Sequence, residues 1–406
     1  MRGPGRSPRF PPLATNRRFI GFETAQSNLA QQIGRRTILA STRLTDLLSN
    51  AEAFAAEVAR QAAETEHKTV FDASIWTAFQ SSGLAKSPIP TKFGGVDLAD
   101  PRSGAELCTL LRLLGAADLA IARLFEGHLN AIGLVCRYGS ARQIEELATA
   151  VAKGALCGVW GADDATGLKT LNSGKGVVLK GRKILASGAG FVSRPLVTSS
   201  DPEGQQMYLL SMPAGYPHDL SGWQAQGMRA TATGTVDFTG MAVSEGERVG
   251  EVGDYMRQPT FSGGAWRFCA AQLGATERLV DLFRQHLNAT KRGHDPYQLQ
   301  RLAACVLSAK TARFWVEEAA RRFGSEMDAA QVVAFTHFTR STVEQSALTV
   351  IETVQRGIGL KAFIRPHDVE RICRDLATYL RQPAPDLAMA DGAKCFLASP
   401  LAVGDF

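Results

Sequence analysis

Three side chains in this chain of 406 residues are candidates for proton-transfer chemistry. Asp386 follows the stiff segment Gln382-Pro-Ala-Pro, which separates two helical runs, and Glu126 and His128 lie together in Phe125-Glu-Gly-His-Leu-Asn130. A carboxylate can remove a proton from carbon, and a neutral imidazole can act as acid or base near pH 7. Each residue also has a plainer interpretation. Asp386 would suit the N-cap of the last helix, and the other two would suit ordinary polar positions in a helix or at its edge.

The positive charge of the chain is concentrated at its start. Residues 1–36 contain seven arginines and one acidic residue, which accounts for the whole formal net charge of +6. The rest of the chain is therefore balanced, which argues against nucleic acid as a partner. The first segment is also rich in proline and poor in large apolar residues. We predict a disordered basic tail over residues 1–36, and an organelle transit peptide is the alternative.

Composition also bounds the location and class of the protein. No apolar run approaches the ~18–20 residues that would cross a bilayer, so we expect no membrane association. The seven cysteines include no CxxC pair, and most of them lie in apolar helical contexts. We therefore expect a cytoplasmic protein with reduced, mostly buried thiols and no metal site.

The apolar pattern changes twice along the chain. Residues 37–155 carry helical spacing, residues 156–252 contain short β-branched or aromatic runs bounded by Gly, Asp and Ser, and residues 253–406 return to long helices. The apolar stripes predict helices from Trp266 to Leu287, from Pro296 to Phe323 and from Ala329 to Val354. The fold class predicted is α+β, mostly α, with three domains at these borders.

Six short stretches, in order, carry a resemblance to a known family. They are Ile89–Leu98, Gly158–Thr170, Leu179–Ala189, Gly227–Phe238, Gln355–Gly359 and Arg371–Asp375. Together they resemble the signatures of the acyl-CoA dehydrogenase family of flavoproteins. The resemblance implies an N-terminal helical domain, a middle antiparallel β-barrel domain and a C-terminal four-helix bundle. It also implies a homodimer or homotetramer.

The same resemblance implies FAD between the β domain and the bundle, with help from a neighbouring subunit. The residues that match family contacts to the flavin ring, the diphosphate and the adenosine half are Trp160, Ser187, Gly188, Arg292, Gln355 and Gly359. The first four have a structural alternative as well: a tryptophan that caps the β core, a serine or glycine in a turn, or an arginine in a charged loop.

The catalytic Glu of the family is missing from this sequence. Counted from Arg374-Asp375, its position falls on Pro383, which has neither a carboxylate nor an N–H. A minority of the family carries the base on an earlier helix, and that position falls near Gly264. Asp386 remains as a displaced base, and Glu126 and His128 match the family wall that lines the acyl pocket.

Three hypotheses follow from these matches. The first is an FAD oxidoreductase acting on the CH–CH group of an acyl thioester, with acyl-CoA as the expected small-molecule substrate. The second is a flavin monooxygenase, because Lys183–Gly190 resembles a strand of dibenzothiophene-type monooxygenases and such enzymes need no carboxylate base. The third is a flavin-binding scaffold without catalysis. An electron-transfer flavoprotein or a flavin reductase is the expected protein partner.

Overall fold

The computed structural model describes residues 20–173, 176–201 and 203–406 of the chain. The chain divides into two compact units, Met1–Asp46 and Leu47–Phe406. The predicted disordered tail therefore lies mostly outside the described residues. Its last part, from Ile20 onward, is helical instead, because the prolines end at Pro12 and good helix formers such as Ala, Gln and Leu follow. The borders predicted at residues 155 and 252 mark changes of secondary structure within the unit Leu47–Phe406.

Helices dominate the first part of the chain. They are α1 (Ile20–Lys68), α2 (Ala73–Ser81), α3 (Gly104–Ala117), α4 (Leu119–Tyr138) and α5 (Ala141–Ala152). Asp118 separates α3 from α4 and caps α4, since its Oδ1 accepts the N–H groups of Ala120 at 2.7 Å and Ile121 at 3.2 Å. A carboxylate at this position satisfies helix N–H groups that have no partner within the helix.

Helix α4 is more apolar over its length than we expected from the sequence, in which no apolar run approached the length of a membrane span. Among the described residues, it is the one helix whose length and composition would suit a bilayer, with a mean hydropathy of 1.3 over its best window. However, 78% of that window is buried inside the protein. Its apolar surface is thus covered by neighbouring elements, as in the core helix of a globular domain.

The middle part of the described chain forms three small sheets. The strands are β1 (Cys157–Trp160), β2 (Lys169–Ser173), β3 (Gly176–Lys180), β4 (Arg182–Ala186), β5 (Arg194–Asp201), β6 (Gly204–Leu209), β7 (Gly234–Asp237), β8 (Ala242–Val243) and β9 (Arg248–Val249). Their orders are β1-β5-β6-β9, β2-β3-β8 and β4-β7. The pairing is antiparallel, as predicted, except that β1 runs parallel to β5.

The C-terminal part returns to helices: α6 (Trp266–Ala289), α7 (Pro296–Phe323), α8 (Ala329–Ile358), α9 (Asp368–Tyr379) and α10 (Pro385–Ala398). The three predicted long helices are confirmed to within a few residues. Asp295 and Asp328 cap α7 and α8 by accepting backbone N–H groups at their first turns. The order of helices, strands and helices confirms the predicted α+β, mostly α fold class.

A buried charge network ties these parts together. Arg371 on α9 lies 3.5 Å from Asp118 and 3.8 Å from Asp375, and Asp375 accepts the backbone N–H of Met228 at 2.6 Å. Burial, followed by repulsion from Asp118, raises the pKa of Asp375 to about 7. One arginine therefore holds two carboxylates that anchor α4 and the loop around Met228.

The raised pKa of Asp375 predicts a specific pH dependence of stability. A carboxyl that binds its proton more tightly in the folded state stabilises the fold at acid pH, and this contribution is lost as pH rises from about 4 to about 7. Urea unfolding at pH 4.5 and pH 8 should show that Asp375→Asn removes a pH-dependent term on the order of 2 kcal/mol. The half-exposed control Asp281→Asn, whose carboxylate pairs with Arg284, should keep the wild-type pH dependence. An Asp375→Asn profile parallel to wild type would contradict the network.

Candidate functional site

The main cavity of the described structure has a volume of about 790 Å³. It lies where the helices meet the three sheets formed by β1 to β9, which are together called the β unit. Its walls come from α4, the loop Pro88–Pro101, the start of α6, the middle of α8 and the joint between α9 and α10. Val159 contributes from β1. The volume falls within the range of small-molecule pockets, which favour such junctions.

Both positions at which the family resemblance would place a base face this cavity. Pro383 lies on the wall after α9, and Gly264 lies on the wall at the start of α6. Neither supplies a carboxylate. The two predicted base positions therefore lie on one cavity, and neither brings an acid to it.

Glu126 is the predicted candidate that does reach the cavity. It is 5% exposed, and its Oε2 accepts a hydrogen bond from Arg123 at 2.6 Å. Its Oε1 accepts from the amide of Asn130 at 2.5 Å. Both carboxylate oxygens thus already serve a donor, which favours a positioning role over proton removal from a substrate.

Two arginines on the cavity wall lack a carboxylate partner among the described residues. Arg267 donates to Asn130 Oδ1 at 3.2 Å and lies 4.8 Å from the ring centre of Phe323, but its Nε has no hydrogen-bond partner. Arg340 donates to the backbone oxygen of Pro383 at 2.7 Å. Burial lowers the pKa of Arg340, and it lowers the pKa of Arg267 to about 10, which leaves Arg267 cationic at neutral pH.

Asp386 is exposed and does not line the cavity. The structure contradicts both interpretations of this residue, as displaced base and as N-cap. Helix α10 begins at Pro385, and its N-cap is Ala384, with a φ of +49°. Proline favours the first helical position, which moves Asp386 into the first turn and turns it toward solvent.

His128 is wholly buried and is positioned as a structural residue, not as an acid or base. Its Nδ1 accepts the backbone N–H of Cys157 at 2.9 Å, and its Nε2 donates to the carbonyl of Ala85 at 2.8 Å. Burial lowers the pKa of the imidazole to about 4, which keeps it neutral. The ring joins β1 to the loop before Pro88, and both of its nitrogens are engaged.

Trp160, Ser187 and Gly188 do come together, at a corner of the β unit. The indole N–H of Trp160 donates to the carbonyl of Ser187 at 2.9 Å, and the indole is 3% exposed. Gly188 has a φ of +76°, and a Cβ there would lie 2.8 Å from a methyl group of Val192. This corner is packed against itself, and it is the next residue back along β1, Val159, that faces the cavity.

Arg292, Gln355 and Gly359 lie away from the cavity, where the α6–α7 turn meets the end of α8. Arg292 pairs with Asp295 at 3.0 Å, and Gly359 ends α8 with a φ of +81°. The amide of Gln298 bonds to the carbonyl of Gly357 at 3.2 Å and joins the two segments. Within one chain, these residues and the corner at Trp160 do not form one site.

Sequence reasoning missed the two cavity arginines. Arg267 follows Trp266 at the apolar start of α6, and Arg340 lies within the stripe of α8 that includes the buried Val343. A charge on a predicted buried face was the available signal. Among the described residues, no group of His, Cys, Asp and Glu side chains is placed to hold a metal ion.

The two bonds of His128 predict a structural effect of its removal. His128→Ala should lower the free energy of unfolding by about 2–4 kcal/mol, because it leaves a cavity and two backbone groups without partners. Chemical denaturation measures this loss. The exposed control His294→Ala should stay within about 0.5 kcal/mol of wild type. An equally small effect at His128 would refute the bridging role.

Comparisons with known proteins agree with this architecture. Residues 42–155 match the model of the acyl-CoA dehydrogenase N-terminal domain. The chain is 22% identical to dibenzothiophene monooxygenase of Mycolicibacterium goodii over 344 residues, which cover 74% of this chain and 81% of that protein.

Two solved structures are similar over most of their length. TdsC from Paenibacillus sp. A11-2, solved with FMN and indole, has a TM-score of 0.76 at 20% identity. The alignment covers 86% of this chain and 97% of the TdsC chain. Butyryl-CoA dehydrogenase from Megasphaera elsdenii has a TM-score of 0.76 at 17% identity. That alignment covers 87% of this chain and 98% of the dehydrogenase chain. Residues 42–155 thus match the acyl-CoA dehydrogenase N-terminal domain, and the chain has the acyl-CoA dehydrogenase fold.

Proposed function

We propose that this chain is a flavin-dependent monooxygenase, which transfers one oxygen atom of O₂ to a small substrate. The second oxygen atom leaves as water, and the two electrons come from reduced flavin supplied by a separate flavin reductase. The proposal is supported by the similarity to dibenzothiophene monooxygenase and to TdsC, which was solved with FMN. Flavin would supply the electrons and the oxygen activation, and the chain would supply the enclosed site.

The observation that carries this proposal is the state of the carboxylates around the cavity. Asp97, Asp100, Glu126 and Asp391 line it. Asp97 accepts hydrogen bonds from Thr91, Asp100 pairs with Arg102, Glu126 with Arg123 and Asp391 with Lys394. Dehydrogenation of an acyl thioester needs a carboxylate free to take the α-proton. Oxygen transfer makes no such demand.

The residues present suit a flavin ring. The cavity is large enough for a planar tricyclic group beside a small substrate, and most of its walls are apolar. The unpartnered Nε of Arg267 is a donor that a carbonyl of the flavin pyrimidine would satisfy. Arg267, Tyr255 and Val159 would contact the ring, and the buried Glu126–Asn130 pair would hold Arg267 in position through its bond to Asn130.

FAD, rather than FMN, remains the prediction from sequence. The residues matched to its diphosphate and adenosine half, Arg292, Gln355 and Gly359, do not line the cavity of their own chain. A dinucleotide would therefore need these residues from a second subunit, so FAD binding and a homodimer or homotetramer belong to one proposal. FMN would need only the cavity. Gel filtration with and without each flavin tests this difference.

Acyl-CoA oxidation is the competing function, and Glu126 is the residue through which it would have to act. Under the proposal, flavin in the protein should keep its colour with butyryl-CoA or octanoyl-CoA under nitrogen. After chemical reduction, mixing with O₂ in a stopped-flow instrument should give a transient absorbance that matches neither oxidised nor reduced flavin. Glu126→Gln should retain this transient, because the carboxylate takes no proton from the substrate.

Two results would decide against the proposal. Bleaching by acyl-CoA that is abolished in Glu126→Gln would identify a dehydrogenase with a relocated base. Failure to bind FMN or FAD, measured by flavin fluorescence, would exclude flavin chemistry altogether. Asp386→Asn is the matched control on the exposed side of the joint, and it should behave as wild type in each assay.

A further inference from the structure

We infer that the substrate of this cavity carries an anionic group, a carboxylate or sulfonate, on an apolar body. The inference deepens the proposed monooxygenase function, because it names the class of substrate for the same site. It depends on the charges of the cavity wall. Arg267 and Arg340 have no ion-pair partner there, whereas most of the wall carboxylates are paired.

The two arginines have no ion-pair partner of their own. Neither Arg267 nor Arg340 forms an ion pair with any residue in the described part of the chain, although both are half-buried on the cavity wall. Glu344 acts on Arg340 electrostatically, but it is paired with Arg381. Glu126 acts on Arg267 electrostatically but lies beyond ion-pair distance, since its oxygens are held by Arg123 and Asn130. Buried charges in proteins are ordinarily paired, because desolvation of a lone guanidinium is costly.

Most of the wall carboxylates have a basic partner outside the cavity. Arg102, Arg123 and Lys394 neutralise three of them, and the fourth, Asp97, accepts from the neutral Thr91 and keeps its charge. Asp97 forms no ion pair with Arg267 or Arg340 among the described residues, and Arg137, a third arginine on the wall, is exposed. The two arginines therefore leave an excess of positive charge on the cavity wall.

The surroundings of the two arginines define the rest of the ligand. Arg267 lies over the ring of Phe323, and Arg340 lies 5.6 Å from the ring centre of Phe268. Leu129, Leu134 and Phe261 complete an apolar lining. A guanidinium in such a setting recognises carboxylate or sulfonate through charge-assisted hydrogen bonds, while the apolar walls favour an aromatic or alkyl body.

A flavin ring by itself would not remove the imbalance. In its neutral oxidised form, it accepts hydrogen bonds but brings no negative charge to the cavity. In its reduced anionic form, it would balance one guanidinium and leave the other. The substrate anion, the reduced flavin ring and the phosphate of FMN are the three sources of negative charge that the experiment must separate.

The test uses the full-length protein loaded with FMN and titrated by calorimetry with benzoate, benzenesulfonate and the neutral benzamide. We expect wild type to bind benzoate or benzenesulfonate at least about tenfold more tightly than benzamide. Arg267→Met and Arg340→Met should each bring this ratio toward one. Arg284→Met, an exposed arginine further along α6, should keep the wild-type ratio.

The wild-type ratio does not depend on whether the variants fold, and a ratio near one would overturn the inference. It would also be overturned if the variants weaken FMN binding, measured by flavin fluorescence, yet keep the preference for benzoate. The guanidiniums would then serve the flavin alone. Preference for benzoate in a protein that binds no flavin would refute the proposed function and leave the anion site standing.

Discussion

The arrangement of this molecule depends on one buried arginine between two carboxylates. Arg371 lies between Asp118, which begins α4, and Asp375, which holds the backbone of Met228 in the β unit. The three groups join the N-terminal helices, the β unit and α9. Such a network is costly to bury and costly to break, since loss of one member leaves the others without compensation.

The position of the cavity follows from this network. Helix α4 begins directly after Asp118, and it carries Glu126 and Asn130 on the wall of the cavity. Helix α9 contains Asp375, and the joint that follows α9 places Pro383 on the same wall. Arg340 fixes the joint after α9 by its bond to the carbonyl of Pro383. The proline-containing joint around Pro383 is therefore a part of the cavity wall without a base. The neighbouring Arg340 brings positive charge to it instead.

Sequence patterns were sufficient for the fold class and for the long helices. Long apolar stripes predicted α6, α7 and α8 because those helices bury a wide face, and motif counting brought Pro383 and Gly264 to the cavity. The direction of individual side chains was not available from sequence. His128 looked like a catalytic residue because its type permits it, but the carbonyl of Ala85 and the N–H of Cys157 come from segments distant in sequence. The N-cap prediction for Asp386 was wrong because helix α10 begins at Pro385, which places Asp386 inside its first turn.

The two cavity arginines were missed for the same reason, because the sequence does not give the direction of a side chain. A charge in an amphipathic helix is usually solvated, and only the packing of α4, α6, α8 and the joint shows that Arg267 and Arg340 line the cavity. The combination of positive charge on the wall with no free carboxylate is what separates this cavity from one built for proton removal.

The most direct measurement is a crystal structure of the protein with bound FMN. We expect the isoalloxazine ring in the cavity between Val159 and the wall of Arg267 and Pro383, with the Nε of Arg267 donating to the ring or to a bound anion. A flavin bound elsewhere on the chain, with this cavity filled by solvent, would show that the cavity is not the flavin site.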